Sequence, residues 1–219
     1  DSNGDLAVDE IRVKKGINLV LAFGGQSFGY VSGGLDYPGG YKNEIEKFPF
    51  AVDFNVSDVG DLTQGRQSVA PAVSATHGYN SGGYYGDRSN VIDKFQLIST
   101  ANAADVGDLT LARSSGGGQS SSTSGYTSGG FSGPPFTVQN IIDKFSFSSD
   151  GNATDVGNLT TARSAVAGQS SSTHGYSSGG AFGLPNFNII DKFPFSTDTN
   201  AADVGDLSQG RFVCAGQQG

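Results

Sequence analysis

Two residue types recur at fixed positions in this sequence and could do chemistry together. An arginine ends each of four segments similar to DVGDLTxAR, and an acid follows the isoleucine of each of four segments similar to IDKF. A ring of arginines could bind an anionic substrate, whereas an arginine paired with a carboxylate indicates a structural ion pair. Because every unit carries the same pair, we predict the structural role. The residues are Arg66, Arg113, Arg163 and Arg211, with Glu46, Asp93, Asp143 and Asp191.

The two histidines are the other candidates for catalysis or metal binding. His77 and His174 occupy the same position of a repeat, where Phe28 and Ser124 stand in the other units. This tolerance of other residue types favours a repeat position over a metal ligand or a general base. No Ser–His–Asp set, phosphate-binding loop or paired-carboxylate signature accompanies them. We therefore predict no catalytic residue, no metal site and no cofactor.

Acidic and amide side chains cluster in three short segments. The segment Asp1–Asp9 spaces oxygen-bearing side chains like a calcium loop, but Leu6 replaces the turn glycine and Arg12 replaces the bidentate acid. A solvated turn is the default interpretation there, and calcium binding stays open. The D-x-N-A-x-D-V-G motif, which begins at Asp150 and again at Asp198, predicts turns in which Asp and Asn side chains accept hydrogen bonds from local backbone N–H groups.

Charge and composition exclude several classes of function. A formal net charge of −8 gives little attraction to phosphate backbones or anionic lipids, so we expect no nucleic acid partner. The longest apolar run, Ile17–Phe23, is far shorter than the roughly 20 residues of a membrane helix, so we expect no membrane insertion. Cys214 is the single cysteine and is predicted to be a small strand hydrophobe. The chain has no methionine, which suggests a processed product or a piece of a longer protein.

Four repeat units of about 48 residues position the recurring residues. In each unit an IDKF-like segment is followed by the DVGDL segment, and in the first three units a segment ending in GYxSGG comes next. The distance from the isoleucine to the arginine never changes. Only the stretch between the double glycine and the next isoleucine varies in length. With 34 Gly, 15 Phe and no helical period, the units predict an all-β fold of four-stranded antiparallel sheets packed face to face.

Period-two alternation predicts the faces of the IDKF strands. Asp143, Phe145 and Phe147 share one face, and Ile142 and Lys144 share the other, with the phenylalanines marking the buried side. The tyrosine of GYxSGG lies in another strand of the unit. We predict burial of the rings at equivalent positions, which are Phe48, Phe95, Phe145, Phe193, Tyr30, Tyr79, Tyr126 and Tyr176.

The order of these segments resembles the kelch repeat, in which a strand ends in a double glycine and is followed by a polar strand, a loop and a run that ends in arginine. The resemblance covers nearly the whole chain and implies a kelch-like β-propeller, or a propeller-like repeat array, of four-stranded blades. Kelch units usually carry a Trp before the arginine, and this chain has none; Leu62, Leu109, Leu159 and Leu207 stand near that place. The units are also similar to repeat arrays in structural proteins of marine bacteriophages, especially phages of cyanobacteria.

Residues 1–219 are predicted to form a single repeat domain that starts and ends within a unit. The segment Gly16–Gly25 aligns with the segment before Tyr176, and the segment Arg211–Gly219 opens a fifth unit. Two interpretations stay open, a ring closed by strands from both ends and the cut edges of a longer array.

The loop of variable length is the predicted functional face. On a rigid scaffold, binding residues concentrate in loops that can change without loss of core packing. The loops at 35–44, 84–91, 131–141 and 181–189 should gather on one face, and their aromatic residues suit stacking on sugars or docking against a protein. These ligand-binding candidates are Tyr37, Tyr41, Tyr84, Tyr85, Phe131, Phe136, Phe182 and Phe187.

Together these features predict a protein that is not an enzyme. The phage resemblance implies a virion structural protein, fibre or surface module, outside the cell or on the virion, that binds a host glycan or neighbouring subunits and can form a homo-oligomer. The alternative is a secreted carbohydrate-active propeller enzyme of the galactose-oxidase or glycosidase type. A copper radical site needs convergent Cys, Tyr and His ligands, which one cysteine and two repeat-bound histidines supply poorly.

Overall fold

The computed structural model describes residues 27–183 and 186–217, which form β-strands, turns and loops without a helix. This confirms the predicted all-β class. Accordingly, no helix in these two ranges could cross a membrane. The predictions for Asp1–Asp9, Ile17–Phe23 and Gly16–Gly25 concern segments outside the described residues.

Four main antiparallel sheets follow one another along the chain. Sheet 1 contains β1 (Phe28–Asp36), β2 (Gly40–Pro49) and β3 (Ser57–Asp61). Sheet 2 contains β4 (Ala70–Val73), β5 (His77–Ser81), β6 (Val91–Gln96) and β7 (Ala104–Asp108). Sheet 3 contains β9 (Gly117–Ser120), β10 (Ser124–Ser128), β13 (Ile141–Ser146) and β14 (Thr154–Asn158), and sheet 4 contains β15 (Ala167–Ser170), β16 (His174–Ser178), β17 (Ile189–Pro194) and β18 (Ala202–Asp206). A small sheet pairs β8 (Arg113–Ser114), β11 (Phe131–Ser132) and β12 (Thr137–Val138).

Each four-stranded sheet has its strands in sequence order. In sheet 2 the order is β4, β5, β6 and β7, and the register places Tyr79 opposite Lys94. The segments of one repeat therefore supply the first, second, third and fourth strands of a sheet in turn. Sheet 1 shows the second to fourth of these strands in the described chain.

A register shift interrupts the pairing of the third and fourth strands in every main sheet. In sheet 2 it places Gly107 at φ +153°, a conformation that favours glycine, and the Gly107 N–H donates to the Asp105 carboxylate at 3.1 Å. A Cβ at Gly107 would overlap the carbonyl oxygen of Gly151 in the next unit. The D-V-G motif thus combines a carboxylate that accepts a backbone N–H with a glycine whose lack of a side chain lets the next unit pack closely.

Adjacent sheets pack through the same cluster of side chains. Between sheets 2 and 3, the Tyr79 ring lies 5.5 Å from the Phe145 ring and stacks on Phe147 at 4.8 Å, measured between centroids, with Ile92 beside them. Equivalent clusters join sheet 1 to sheet 2 and sheet 3 to sheet 4. A sheet between two others buries both of its faces, since Ile142 is 0% exposed and Phe145 is 3% exposed. The phenylalanine side is therefore not the only buried side.

Burial of the repeat rings depends on their place in the array. The buried rings are those of Phe95, Phe145, Phe193, Tyr79 and Tyr126. Phe48 and Tyr176 are only partly buried, because they lie on the outer faces of sheets 1 and 4. Tyr30 is partly buried because it borders a cavity at the edge of sheet 1. The prediction of uniform burial was therefore wrong for these three rings.

The first strands of successive sheets lie directly against one another. A Cβ at Gly118 in β9 would overlap the carbonyl oxygen of Pro71 in β4, and a Cβ at Gly168 in β15 would overlap that of Gly118. Backbone hydrogen bonds also join the connectors between sheets, since the Ala165 N–H donates to the Ser115 carbonyl at 2.7 Å. These close contacts fix the spacing of the sheets.

Candidate functional site

The repeated arginine and acid form buried ion pairs that join successive units. The Arg113 guanidinium lies 2.8 Å from the Asp143 carboxylate, and both side chains are 0% exposed. Thr110 donates to the same carboxylate from its backbone N–H at 3.0 Å and from its hydroxyl at 2.7 Å. Each acid therefore ties the preceding connector to its own sheet. The pairs Arg66–Asp93 and Arg163–Asp191 repeat this contact at 2.9 and 2.8 Å.

Burial separates these arginines from external ligands. Arg113 Nη2 also donates to the carbonyl oxygen of Thr127 at 3.0 Å. Burial lowers the pKa of the Arg113 guanidinium, and the charge and hydrogen bond of Asp143 oppose that shift. An anionic substrate could not reach such a group without opening the junction. Arg211, at the same repeat position, is exposed and has no acidic partner in the described chain.

Part of the predicted turn chemistry joins units instead. Asp155 accepts a local backbone N–H, as predicted. Asp150, however, pairs with Lys94 of sheet 2, and Asn152 accepts the backbone N–H of Asp108 at 3.1 Å. The prediction of local contacts was therefore wrong for Asp150 and Asn152, because both side chains face the preceding sheet. It was wrong in the same way for Asp198, which pairs with Lys144, and for Asn200, which accepts the backbone N–H of Asn158 at 3.0 Å.

The histidines lie at the starts of β5 and β16. Nδ1 of His77 lies 2.8 Å from the Thr76 hydroxyl, and His174 makes the same contact with Thr173 at 2.9 Å. Desolvation lowers the pKa of His77, and the charge of Lys94 adds to the shift. Within residues 27–183 and 186–217, no group of three His, Cys, Asp or Glu side chains could hold a metal ion.

The variable loops join the second and third strands of the sheets, and those of sheets 2, 3 and 4 each begin at a fixed contact. The first loop residue after the double glycine pairs with the connector that follows the buried arginine. Tyr84 pairs with Gln67, Phe131 pairs with Ser114, and Ala181 pairs with Ser164. The loop of sheet 3 then folds back through β11 and β12. These contacts anchor the start of each loop to the rigid junction beneath it.

The loops of sheets 1, 2 and 3 meet in an aromatic cluster around Arg88. The Arg88 Cζ lies 5.0, 4.8 and 5.0 Å from the ring centroids of Tyr84, Phe131 and Phe136. Phe131 and Phe136 stack at 6.0 Å with planes 7° apart, and Tyr41 meets the edge of Tyr84 at 5.8 Å. The guanidinium is attracted to the ring faces, so it joins the loops of sheets 2 and 3, while Tyr41 of sheet 1 is joined to them through Tyr84. We call these five residues the Arg88 cluster.

The Arg88 cluster contains an unpaired polar group and an exposed ring. Arg88 Nε is buried without a hydrogen-bond partner in the described chain, and the guanidinium makes no ion pair there. Desolvation raises the pKa of the Tyr41 hydroxyl, and the charge and hydrogen bond of Tyr84 add to the shift. The Phe136 ring is 64% exposed. A ligand could stack on this ring beside the cation.

The structure brings together some of the predicted loop residues and separates others. The cluster contains the predicted residues Tyr41, Tyr84, Phe131 and Phe136. Tyr37 is 91% exposed between β1 and β2, while Tyr85, Phe182 and Phe187 make no ring contact with the cluster in the described chain. Sequence reasoning missed Arg88. Its signal is that it breaks the repeat, because no other unit has an arginine in this loop.

A concavity of about 260 Å³ is lined by residues of sheets 1, 2, 3 and 4. Its lining includes Tyr30, Tyr79, Phe95 and Gln119 and contains no carboxylate, imidazole or cation among the described residues. The Arg88 cluster is the stronger candidate for a binding site.

No protein-family model matches this chain, and a search of curated proteins finds no match. The proposed function therefore depends on the site and on the sequence resemblance.

Proposed function

We propose that this chain is a non-enzymatic binding module whose loop face, built on the Arg88 cluster, binds a carbohydrate. The observation that carries the proposal is the convergence of aromatic residues from three successive units, in which the loops of sheets 2 and 3 meet on one cation beside an exposed ring. In this proposal the main sheets are blades of a kelch-like propeller or propeller-like array, and the loops lie at the same end of every blade.

The chemistry of the cluster suits a sugar. The exposed ring of Phe136 offers a flat apolar surface to the C–H face of a pyranose. Arg88 supplies donors for sugar oxygens. Because the rings are already packed together, binding costs little conformational entropy. The net charge of −8 disfavours polyanions, so a neutral glycan fits best.

The setting follows from the resemblance of the units to repeat arrays of phage structural proteins. A virion or fibre module of this kind acts outside the cell and binds the surface glycan of a host without turnover. A carbohydrate-active enzyme would instead release product from the same glycan. If the loop face served to dock a neighbouring virion subunit, the chain would bind that subunit and no polysaccharide.

Replacing Phe136 with serine should weaken glycan binding about tenfold, because the stacking ring contributes on the order of 1.4 kcal/mol. Arg88→Gln should weaken binding at least as much, since it removes the cation that joins the loops of sheets 2 and 3. The ligand for this experiment is a polysaccharide that the unaltered chain binds in a screen of bacterial surface polysaccharides. Calorimetric titration of that polysaccharide then gives the affinity of each variant.

Phe182→Ser is the matched control. Phe182 is 63% exposed, almost the same as Phe136, but it lies outside the Arg88 cluster. The control should bind like the unaltered chain. Equal weakening of both variants, or unchanged binding by Phe136→Ser, would contradict the proposal. Release of reducing ends from the polysaccharide would favour the enzyme, and binding to a virion subunit alone would favour docking.

A further inference from the structure

Every internal junction of this protein joins two complementary faces. The receiving face of sheet 2 offers Tyr79, Lys94 and Arg113 to the next sheet. The entering face of sheet 3 brings Asp143 to Arg113 and Asp150 to Lys94, and its phenylalanines pack on Tyr79. The junction between sheets 3 and 4 repeats these contacts, and that between sheets 1 and 2 repeats the arginine pair and the ring contact.

Sheet 4 presents a receiving face that the described residues cover only in part. Residues 213–216 lie along β15, since the Val213 N–H donates to the Ala165 carbonyl at 3.1 Å and a Cβ at Gly216 would overlap the carbonyl oxygen of Gly168. Its members stand at the positions that make the contacts of the internal junctions, and they are Tyr176, Ile190, Lys192, Leu207, Ser208 and Arg211. Arg211 is exposed, whereas its three counterparts are 0–1% exposed. β18 is exposed along its whole length, while its counterparts β7 and β14 are partly buried.

Sheet 1 presents the opposite, entering face. Glu46 stands at the position of the acid that pairs with arginine, and Phe48 and Phe50 stand at the positions of the two core rings. Asp53 stands at the position of the acid that pairs with lysine, and Asn55 at that of the amide that accepts a backbone N–H. Phe50 is 61% exposed, and Asp53 and Asn55 are exposed as well. Glu46 is one methylene longer than the aspartate of the other units and carries the same charge. Sheet 1 therefore has the full set of groups that sheets 3 and 4 use to enter a junction.

We propose that the entering face of sheet 1 docks on the receiving face of sheet 4 of a second copy. Arg211 of one copy then pairs with Glu46 of the other, and Lys192 pairs with Asp53. Asn55 accepts the backbone N–H of Asp206, as Asn152 does for Asp108 within the chain. The chain itself specifies this occupant, because the exposed faces are the two halves of a junction that it already makes three times.

Such a contact is heterologous, so it joins copies head to tail into a ring or a filament. Each added copy brings another loop face on the same side of the array. Several weak glycan contacts would then act together on a surface that displays many glycans. The docking itself does not depend on what the loop face binds.

An exchange of charges across the junction tests the proposal. Arg211→Glu and Glu46→Arg each set like charges against each other, so each variant alone should sediment as a monomer of 22.5 kDa where the unaltered chain forms larger species. In an equal mixture, every junction between unlike variants has opposite charges, so assembly should return. A chain with both substitutions should assemble alone. Sedimentation velocity across a concentration series measures these masses.

Asp87→Arg is the charge control, because Asp87 is exposed in the loop of sheet 2, away from both faces. It should leave the mass distribution unchanged. Thermal denaturation of the single variants should match that of the unaltered chain, which separates lost docking from lost folding. An unaltered chain that stays at 22.5 kDa at every concentration would overturn the proposal, as would single variants that assemble normally.

Discussion

Replacing Asp143 with alanine should lower the free energy of unfolding by about 3–5 kcal/mol, because the Arg113 guanidinium would stay buried without its counter-charge. Both side chains are 0% exposed, so water cannot take the place of the carboxylate without opening the junction. The backbone N–H and the hydroxyl of Thr110 lose their acceptor at the same time. Urea denaturation followed by circular dichroism measures the change.

Arg211→Ala is the control, since Arg211 occupies the repeat position of Arg113, the partner of Asp143, but is exposed. It should change the free energy of unfolding by no more than about 0.5 kcal/mol. The double variant Arg113→Met with Asp143→Leu should recover part of the loss, because it removes both buried charges. If Asp143→Ala cost no more than Arg211→Ala, the buried pair would not be what joins the units.

Phe145→Ala should also lower the free energy of unfolding by about 3–5 kcal/mol, because the ring fills the junction between sheets 2 and 3. The ring is 3% exposed and lies against Tyr79, and Gly125 beside it leaves no side chain that could fill the space. Thermal denaturation of the variant should show a clear drop in Tm.

Phe48→Ala makes the comparison at the same repeat position on the outer face of sheet 1, where the ring is only partly buried. Its loss of stability should be clearly smaller than that of Phe145→Ala. Equal losses would mean that the rings contribute within their own sheets rather than between neighbouring sheets.

The repeat made much of the scaffold predictable. Period-two alternation places Asp143 with Phe145 and Ile142 with Lys144, and the structure keeps these faces. In the structure both of these faces are buried. Alternation within one strand cannot predict this, because the burial of Ile142 depends on how the next sheet stacks. Partners of Asp150 could not be predicted for the same reason.

The candidate site was less predictable, because loops of different length follow no common period. Their aromatic content singled out Tyr84 and Phe136, but equally Tyr37 and Phe182, which lie outside the cluster. The choice between them depends on contacts between loops of different units. In the folded chain the contacts of Arg88 determine which rings belong to the cluster, since its guanidinium contacts rings from two loops.

Glycan binding at the loop face is tested most directly at the Arg88 guanidinium itself. Its Nε–H has no hydrogen-bond partner in the described chain and lies among the rings, so its NMR chemical shift is sensitive to a ligand that binds beside those rings. Addition of a bound surface polysaccharide should shift the Arg88 Nε–H resonance and leave those of the buried Arg113 and Arg163 unchanged. An unshifted Arg88 resonance at saturating polysaccharide would contradict the account.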